Sequence, residues 1–264
     1  QDVRAGVDRS TVGITLPEAV QLIRGPRGTQ VILEIFRQGE EKPSEVTLTR
    51  DTILVPSVAL TIKDIDNEGP SQTIAILALN KFGGRTDKEW LQAVEQIKEE
   101  EKKQGRQIWL VLDLRNNPGG FLEGAVWTAS EFVGEGVIVS QENRDSSTNK
   151  TFEVLREGKL IGEPLVVIVN EGTASAAEIL AGALRDHGRA KIVGQKPFGK
   201  GTVQQPEDLP GGSGLHVTIG RWLLPSGKWV DKEGVTPDVV VENDDDEAVD
   251  EQLEAAVSEM VKNY

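Results

Sequence analysis

Two side chains in this 264-residue chain stand where a nucleophile and a base could be held, Ser175 and Lys200. Val166-Val-Ile-Val-Asn170 is a short apolar, β-branched run, Glu171-Gly-Thr-Ala174 is a turn, and Ser175-Ala-Ala-Glu-Ile-Leu-Ala-Gly182 opens a helix-like segment. A serine at a strand-to-helix turn presents its hydroxyl beside the unpaired N–H groups of a helix N-terminus. An attacking oxygen and a developing oxyanion can both be held there. The same position also suits a plain N-cap serine. Lys200 lies between two glycines in Phe198-Gly-Lys-Gly-Thr-Val-Gln204, a loop leading into a polar, strand-like run. Flanking glycines allow close backbone approach. An ammonium has no lone pair, so a lysine acts as general base only where its surroundings, burial above all, favour the neutral amine. Serine with such a lysine is a recognised form of the nucleophile and base pair.

Two other chemistries fit parts of the same pattern. Gly194-Gln-Lys-Pro-Phe-Gly-Lys200 has the spacing of a phosphate-binding P-loop. Against it, Gly201 stands where a magnesium-binding Ser or Thr should follow the lysine. Pro197 also removes a loop amide, and Thr202-Val-Gln-Gln-Pro206 is not the helix a P-loop opens. A Ser-His-Asp arrangement is suggested by Asp186-His187. If one helix runs from Ser175 to Asp186, a rise of ~1.5 Å per residue puts Asp186 about 16 Å away, too far for a hydrogen bond. His187 is excluded likewise, whereas spacing does not exclude His216. Arg185-Asp186 is then expected to be structural, holding the helix or the lysine loop. Glu178, one turn past Ser175, either supports the site and its substrate or serves as a capping or solvated residue.

Three motifs occur in order over roughly 90 residues, which is more specific than any one pattern: Leu112-Asp-Leu-Arg-Asn-Asn-Pro-Gly-Gly120, Gly172-Thr-Ala-Ser-Ala-Ala-Glu-Ile179, and Phe198-Gly-Lys-Gly-Thr-Val-Gln204. Together they resemble the carboxyl-terminal processing proteases, the tail-specific Ser/Lys endopeptidases of peptidase family S41. The resemblance extends from about Thr15 to about Glu242 and includes Gly234-Val-Thr-Pro-Asp-Val-Val-Val-Glu242. It implies Ser175 as nucleophile, Lys200 as general base and Gln204 as the group orienting the lysine. Backbone N–H groups of Ala176 and of the Gly119-Gly120 pair would form the oxyanion hole, with Glu178 and Asp186 in support. It implies no metal or organic cofactor, polypeptide substrates with exposed C-termini, and an extracytoplasmic location such as a periplasm, the cell exterior or a thylakoid lumen.

Composition is compatible with this. The chain is 38% hydrophobic, enough for a sizeable core. Its formal net charge of −14, with no basic stripe or interleaved aromatics, argues against a nucleic-acid partner. No apolar run approaches the ~20 residues needed to span a bilayer, and no signal peptide opens the chain. It begins with Gln1, as a processed or trimmed product would. Zero cysteines exclude disulfides and thiol catalysis.

The elements that must position these residues alternate. Residues 1–52 hold a helix from Thr15 to Arg24 and strands Gln30–Phe36 and Glu45–Thr49, joined by a polar turn from Gln38 to Pro43. This order resembles the second half of a PDZ domain, a partial α+β module whose carboxylate-gripping front is either cut away or incomplete. Residues 53–72 are expected as a linker with one strand, Val58–Ile62. Residues 73–264 are expected as the α/β protease core, a layered sheet-and-helix architecture that the resemblance makes ClpP/crotonase-like. Within it, strands are expected at Thr73–Leu79, Ile108–Leu114, Gly136–Gln141, Leu165–Asn170 and Ala190–Val193. Helices are expected at Asp87–Lys103, Leu122–Val133, from Ser175 and at Ala248–Val261, with hairpin arms at His216–Arg221 and Lys228–Val230 and a solvated turn at Asn243–Glu247. Uninterrupted apolar strands such as Ile108–Leu114 belong to a parallel sheet covered on both faces. In such sheets sites collect where strand ends meet helix starts, which is where the Gly119-Gly120 and Ser175 turns fall. The expected protein is a serine endopeptidase working through an acyl-enzyme. The alternatives are a peptide-binding scaffold of the same fold with a lapsed site and a P-loop-like nucleotide binder.

Overall fold

The computed structural model describes residues 10–37, 39, 41–65, 72–211, 213–243 and 249–264. The chain divides into two compact units, one up to Val55 and one from Pro56. The first contains helix α1 (Leu16–Ile23) and the antiparallel strands β1 (Gln30–Ile35) and β2 (Ser44–Thr49). Thr15 starts the helix, its backbone N–H and hydroxyl both donating to Glu18 Oε2, at 2.8 and 2.9 Å. Arg50 ties the elements together by donating to Ile23 O, Thr29 Oγ1 and Gln30 O. Val12, Ala19, Ile23, Ile32 and Phe36 line a groove of about 550 Å³ in this unit. Gln38 and Glu40, in the expected turn, lie outside the described residues.

The second unit runs β3 (Val58–Ile65), β4 (Gln72–Leu79), α2 (Thr86–Gln104), β5 (Trp109–Asp113), α3 (Leu122–Ala129), β6 (Val137–Asn143), β7 (Lys150–Glu153), β8 (Leu165–Val169), α4 (Ala176–Asp186), β9 (Lys191–Gly194), β10 (Thr202–Asp208), β11 (Gly214–Leu223), β12 (Val239–Val240) and α5 (Glu251–Asn263). Six strands form one sheet in the order β12-β9-β8-β5-β4-β3, parallel except for the antiparallel edge strand β3. The apolar runs take its centre because both sheet faces are covered. Along β5 and β8, Leu110, Leu112, Leu165, Val167 and Val169 point into the larger core with α2, α3 and α4, while Val111, Val166 and Ile168 pack with Ala256 and Met260 of α5. One alternating strand thus feeds two apolar layers, each buried aliphatic side chain contributing roughly 1.5–3 kcal/mol. Gly105 ends α2 in the left-handed region at φ 67°, its N–H donating to Glu101 O.

Several expectations are corrected. The strand expected in the linker is the edge of the main sheet and extends to Ile65. Helix α3 stops at Ala129, short of Val133, because the Ser130 hydroxyl donates to Val126 O while accepting from Leu155 N, and Glu131 and Phe132 turn back to Thr128 and Ala129. A second antiparallel sheet, β10-β11-β6-β7, was not expected as a unit. Lys228–Val230 is no strand arm and meets Leu223 only through an isolated bridge at Trp229. Helix α5 begins after Asp250, whose carboxylate accepts from Leu253 N, and most of the expected Asn243–Glu247 turn, with Ala248, lies outside the described residues.

Strand β9 depends on Gly194, which has φ 121° and whose absent Cβ would stand 2.1 Å from Val169 O on β8. Gly194→Ala is expected to destabilise the second unit by roughly 2–4 kcal/mol through strain and overpacking. A urea titration should show the lower midpoint, and an unchanged midpoint would mean that β9 shifts freely.

Candidate active site

The parallel strands β5 and β8 end side by side, with Leu114 N donating to Ile168 O at 2.9 Å, so the two chemistry-bearing loops leave the sheet as neighbours. Asn117, fully buried, organises the first loop. Its Nδ2 donates to Leu79 O at 2.7 Å, its Oδ1 accepts from Gly119 N at 2.8 Å, and its backbone O accepts from Ala174 N at 2.9 Å. Gly119 and Gly120 adopt φ 94° and 139°. A Cβ on Gly119 would lie 2.8 Å from Ser175 Cβ and 2.9 Å from Ala176 N, and one on Gly120 would lie 2.0 Å from Phe82 O. Only glycine lets this loop lie against the serine turn. Asn116 and Asn170 pair reciprocally across the loops, and Thr173 Oγ1 donates to Leu114 O. Arg115 anchors the loop base between Asp113 and Asp250. Burial opposes its charge, but the hydrogen bonds it donates to these two carboxylates outweigh that and hold its pKa above the ordinary value.

Ser175 precedes α4 with φ 56° and ψ −118°. Ser175 and Glu178 form the capping box of this helix, but an ordinary N-cap residue is extended and Ser175 is not. Such conformations cost of order 1–3 kcal/mol and persist only where the surroundings over-determine them. Ser175 is half-buried at this strand-to-helix turn. What holds the turn is Glu178, fully buried, whose Oε2 accepts from Ser175 N at 2.8 Å and Lys200 N at 2.9 Å while Oε1 accepts from Gly199 N at 2.9 Å. Burial pushes its carboxyl up in pKa, against the three backbone amides that favour the ionised form.

The lysine loop is fastened on its other side as well. Lys232 N donates to Gly199 O and Trp229 Nε1 donates to Gly201 O, each at 2.8 Å. Cβ atoms on Gly199 and Gly201 would collide with Lys232 and Trp229. Lys200 is half-buried, and among the described residues its ammonium has no hydrogen bond or ion pair. With the Gly199 and Lys200 amides given to a carboxylate and a strand following, this loop is not built to cradle phosphate.

Ser175, Ala176, Gly120, Lys200 and Gln204 line one cleft of about 380 Å³, together with Trp222. Among the described residues no hydrogen bond joins Ser175 Oγ to Lys200 Nζ, and the exposed Gln204 side chain bonds neither. Gly119 N–H is occupied by Asn117, whereas Gly120 and Ala176 N–H have no partner among the described residues. Asp186 does not line the cleft and, among the described residues, makes no hydrogen bond to the lysine loop. It accepts from Ser226 N and pairs with Arg185 at the far end of α4. His187 Nε2 bonds Val137 O, while His216 does line the cleft. Sequence reasoning overlooked Asn117, although it lies inside a quoted motif. It also overlooked Trp222, whose buried indole N–H is unpartnered. Among the described residues there is no group of three or more His, Cys, Asp and Glu able to hold a metal ion, and no helix long and apolar enough to cross a membrane.

Fold and cleft define a layered α/β protein whose candidate site sits at the carboxyl ends of parallel strands. The model of peptidase family S41 matches residues 73–241, and the chain belongs to that family. It is 42% identical over 237 residues to a carboxyl-terminal-processing protease of Synechocystis sp., covering 90% of this chain and 53% of that protein. It is 36% identical to the carboxy-terminal processing protease CtpA of Bacillus subtilis, covering 89% and 47%. The chain thus spans about half the length of these curated relatives. Among solved structures, a photosystem II D1 C-terminal processing protease is 33% identical with a TM-score of 0.64, over 93% of this chain and 63% of that one.

Because the folded pKa of Glu178 is raised, a pH rise ionises the unfolded chain first, from about pH 4.3, and stability falls until the native carboxyl has ionised too. Glu178→Gln removes this dependence. In thermal melts the stability of the wild type relative to the variant should therefore decline as pH rises through that window. A difference that stays constant with pH would refute the assignment.

Proposed function

We propose that the second unit is the core of a serine endopeptidase in which Ser175 attacks the peptide carbonyl and Lys200 is the general base. The observation that carries this reading is Ser175, held at φ 56° beside two unpartnered amides in the cleft that Lys200 also lines. Ser175 Oγ bonds to the carbonyl carbon as its proton passes to the neutral Lys200 amine. The oxyanion accepts from Ala176 and Gly120 N–H, the latter chosen over Gly119 because the Gly119 amide already donates to Asn117. Lys200 then protonates the leaving amine, and water releases the acyl-enzyme. Gln204, on β10 in the same cleft, is the group that orients the lysine. Glu178 keeps the two catalytic backbones in register, and the peptidase core needs no metal or organic cofactor.

By likeness to the carboxyl-terminal processing proteases, the substrates are unstructured polypeptides or their C-terminal tails, met outside the cytoplasm. Residues 1–52 act as the latter part of a PDZ-like tail-binding module. The second unit, from Pro56 and including the edge strand β3, is the peptidase core.

Ser175→Ala should abolish cleavage of an unstructured protein without altering the fold. Lys200→Arg and Lys200→Ala should be similarly inactive, each losing ~10²–10⁴-fold in kcat/KM, because arginine stays protonated. Gln204→Ala should lose less. Proteolysis by Lys200→Arg at the wild-type rate would transfer the base role to His216, the one histidine lining the cleft.

A further inference from the structure

A second cleft, of about 400 Å³, opens on the other side of Phe121 and is lined by Phe82, Gly84, Asp87, Trp127 and Leu155. Phe121 and Glu123 line both this cleft and the one that holds Ser175 and Lys200. We infer that the second cleft is a substrate subsite which takes an apolar side chain of the polypeptide at a residue removed from the scissile bond. This rests on the peptidase reading above.

Four observations carry it. First, Phe121 and Leu155 are 64% and 60% exposed. Single exposed apolar residues are ordinary, but here they stand around one concavity with a buried aromatic floor at Phe82. Second, the wall is rigid and continuous with the proposed oxyanion loop. Phe82 N donates to Gly119 O at 2.9 Å, Phe121 N donates to Phe82 O at 3.4 Å, and Phe82 bridges Gly120. A chain leaving the first cleft across Phe121 therefore enters the second. Third, Trp127 is held by the Arg156 guanidinium, 4.1 Å from its ring centroid, and that guanidinium is itself paired with buried Glu131. Gly83 and Gly84 keep the opposite side clear, since a Cβ on either would meet nothing within 4 Å. Fourth, Asp87 and Glu123 stand at the rim, exposed and without an ion pair among the described residues. The site thus selects for apolar groups and against acidic ones.

The test moves Leu or Asp through every position of a long unstructured peptide, beside a minimal acyl substrate too short to leave the first cleft. Wild type is compared with Leu155→Asp, which places a charge in the subsite, and Gly84→Phe, which fills it. Both changes fall at exposed positions, and thermal melts check folding. At one position away from the cleaved bond, Leu should exceed Asp by at least ~10-fold in kcat/KM for the wild type, the scale on which one apolar side chain acts. Both variants should abolish that preference and cleave the minimal substrate as the wild type does. Variants that retain the preference, or that lose the minimal substrate equally, overturn the inference. Binding of the same labelled peptides to Ser175→Ala separates this from the peptidase reading. Leu-dependent binding lost on adding Leu155→Asp supports the subsite even if no variant cleaves, and Leu-independent binding overturns it even if cleavage proceeds.

Discussion

One buried carboxylate holds the candidate site together. Glu178 accepts from the backbone of Ser175 on its own helix and from Gly199 and Lys200 on a loop more than twenty residues away. A buried acid is expensive to place, and hydrogen bonds to its ionised form are roughly twice as strong as neutral ones. Three of them offset part of the desolvation, which still prevails, and their geometry leaves the serine turn little freedom. The strained φ of Ser175 survives because relaxing it would break a bond to a buried charge.

Asn117 does for the opposing loop what Glu178 does for the lysine loop. It spends both ends of its side-chain amide on β4 and on Gly119, and its backbone oxygen on Ala174. The result is an asymmetry between two adjacent glycines. One amide is consumed in building the turn, and the next is left facing the cleft without a partner among the described residues. Glycine is required at both positions for the same steric reason, since side chains there would strike the serine turn or the backbone of Phe82.

Around these two polar hubs, the parallel sheet sets where the loops emerge and the antiparallel sheet closes the cleft. Gln204 and His216 lie on β10 and β11, with Trp222 farther along β11. Strand β10 is an edge of its sheet, so the side of the cleft that carries Gln204 is the least constrained part of it. The side formed by Phe82, Gly120 and Phe121 is pinned to the core. A rigid wall facing a freer one is what the proposed peptidase reading asks of a cleft that takes extended polypeptide.

Much of this was legible in the sequence. The apolar runs Leu165–Asn170 and Ile108–Leu114 read as buried strands, and the structure forms them over Leu165–Val169 and Trp109–Asp113. The period of Trp90, Leu91, Val94 and Ile97 with Gly105 behind it marked α2, although Leu91 faces solvent, and three ordered motifs led to Ser175 and Lys200. These are local properties of steric preference and hydrophobic period. Only the tertiary structure decided that Gly119 has no free amide and that Glu178 spans from the serine to the lysine loop. It alone showed that Asp186 serves a distant turn and that four scattered strands make a second sheet. Each of those outcomes is a pairing between groups far apart in the chain. No spacing along the sequence specifies which donor reaches which acceptor until the core has packed.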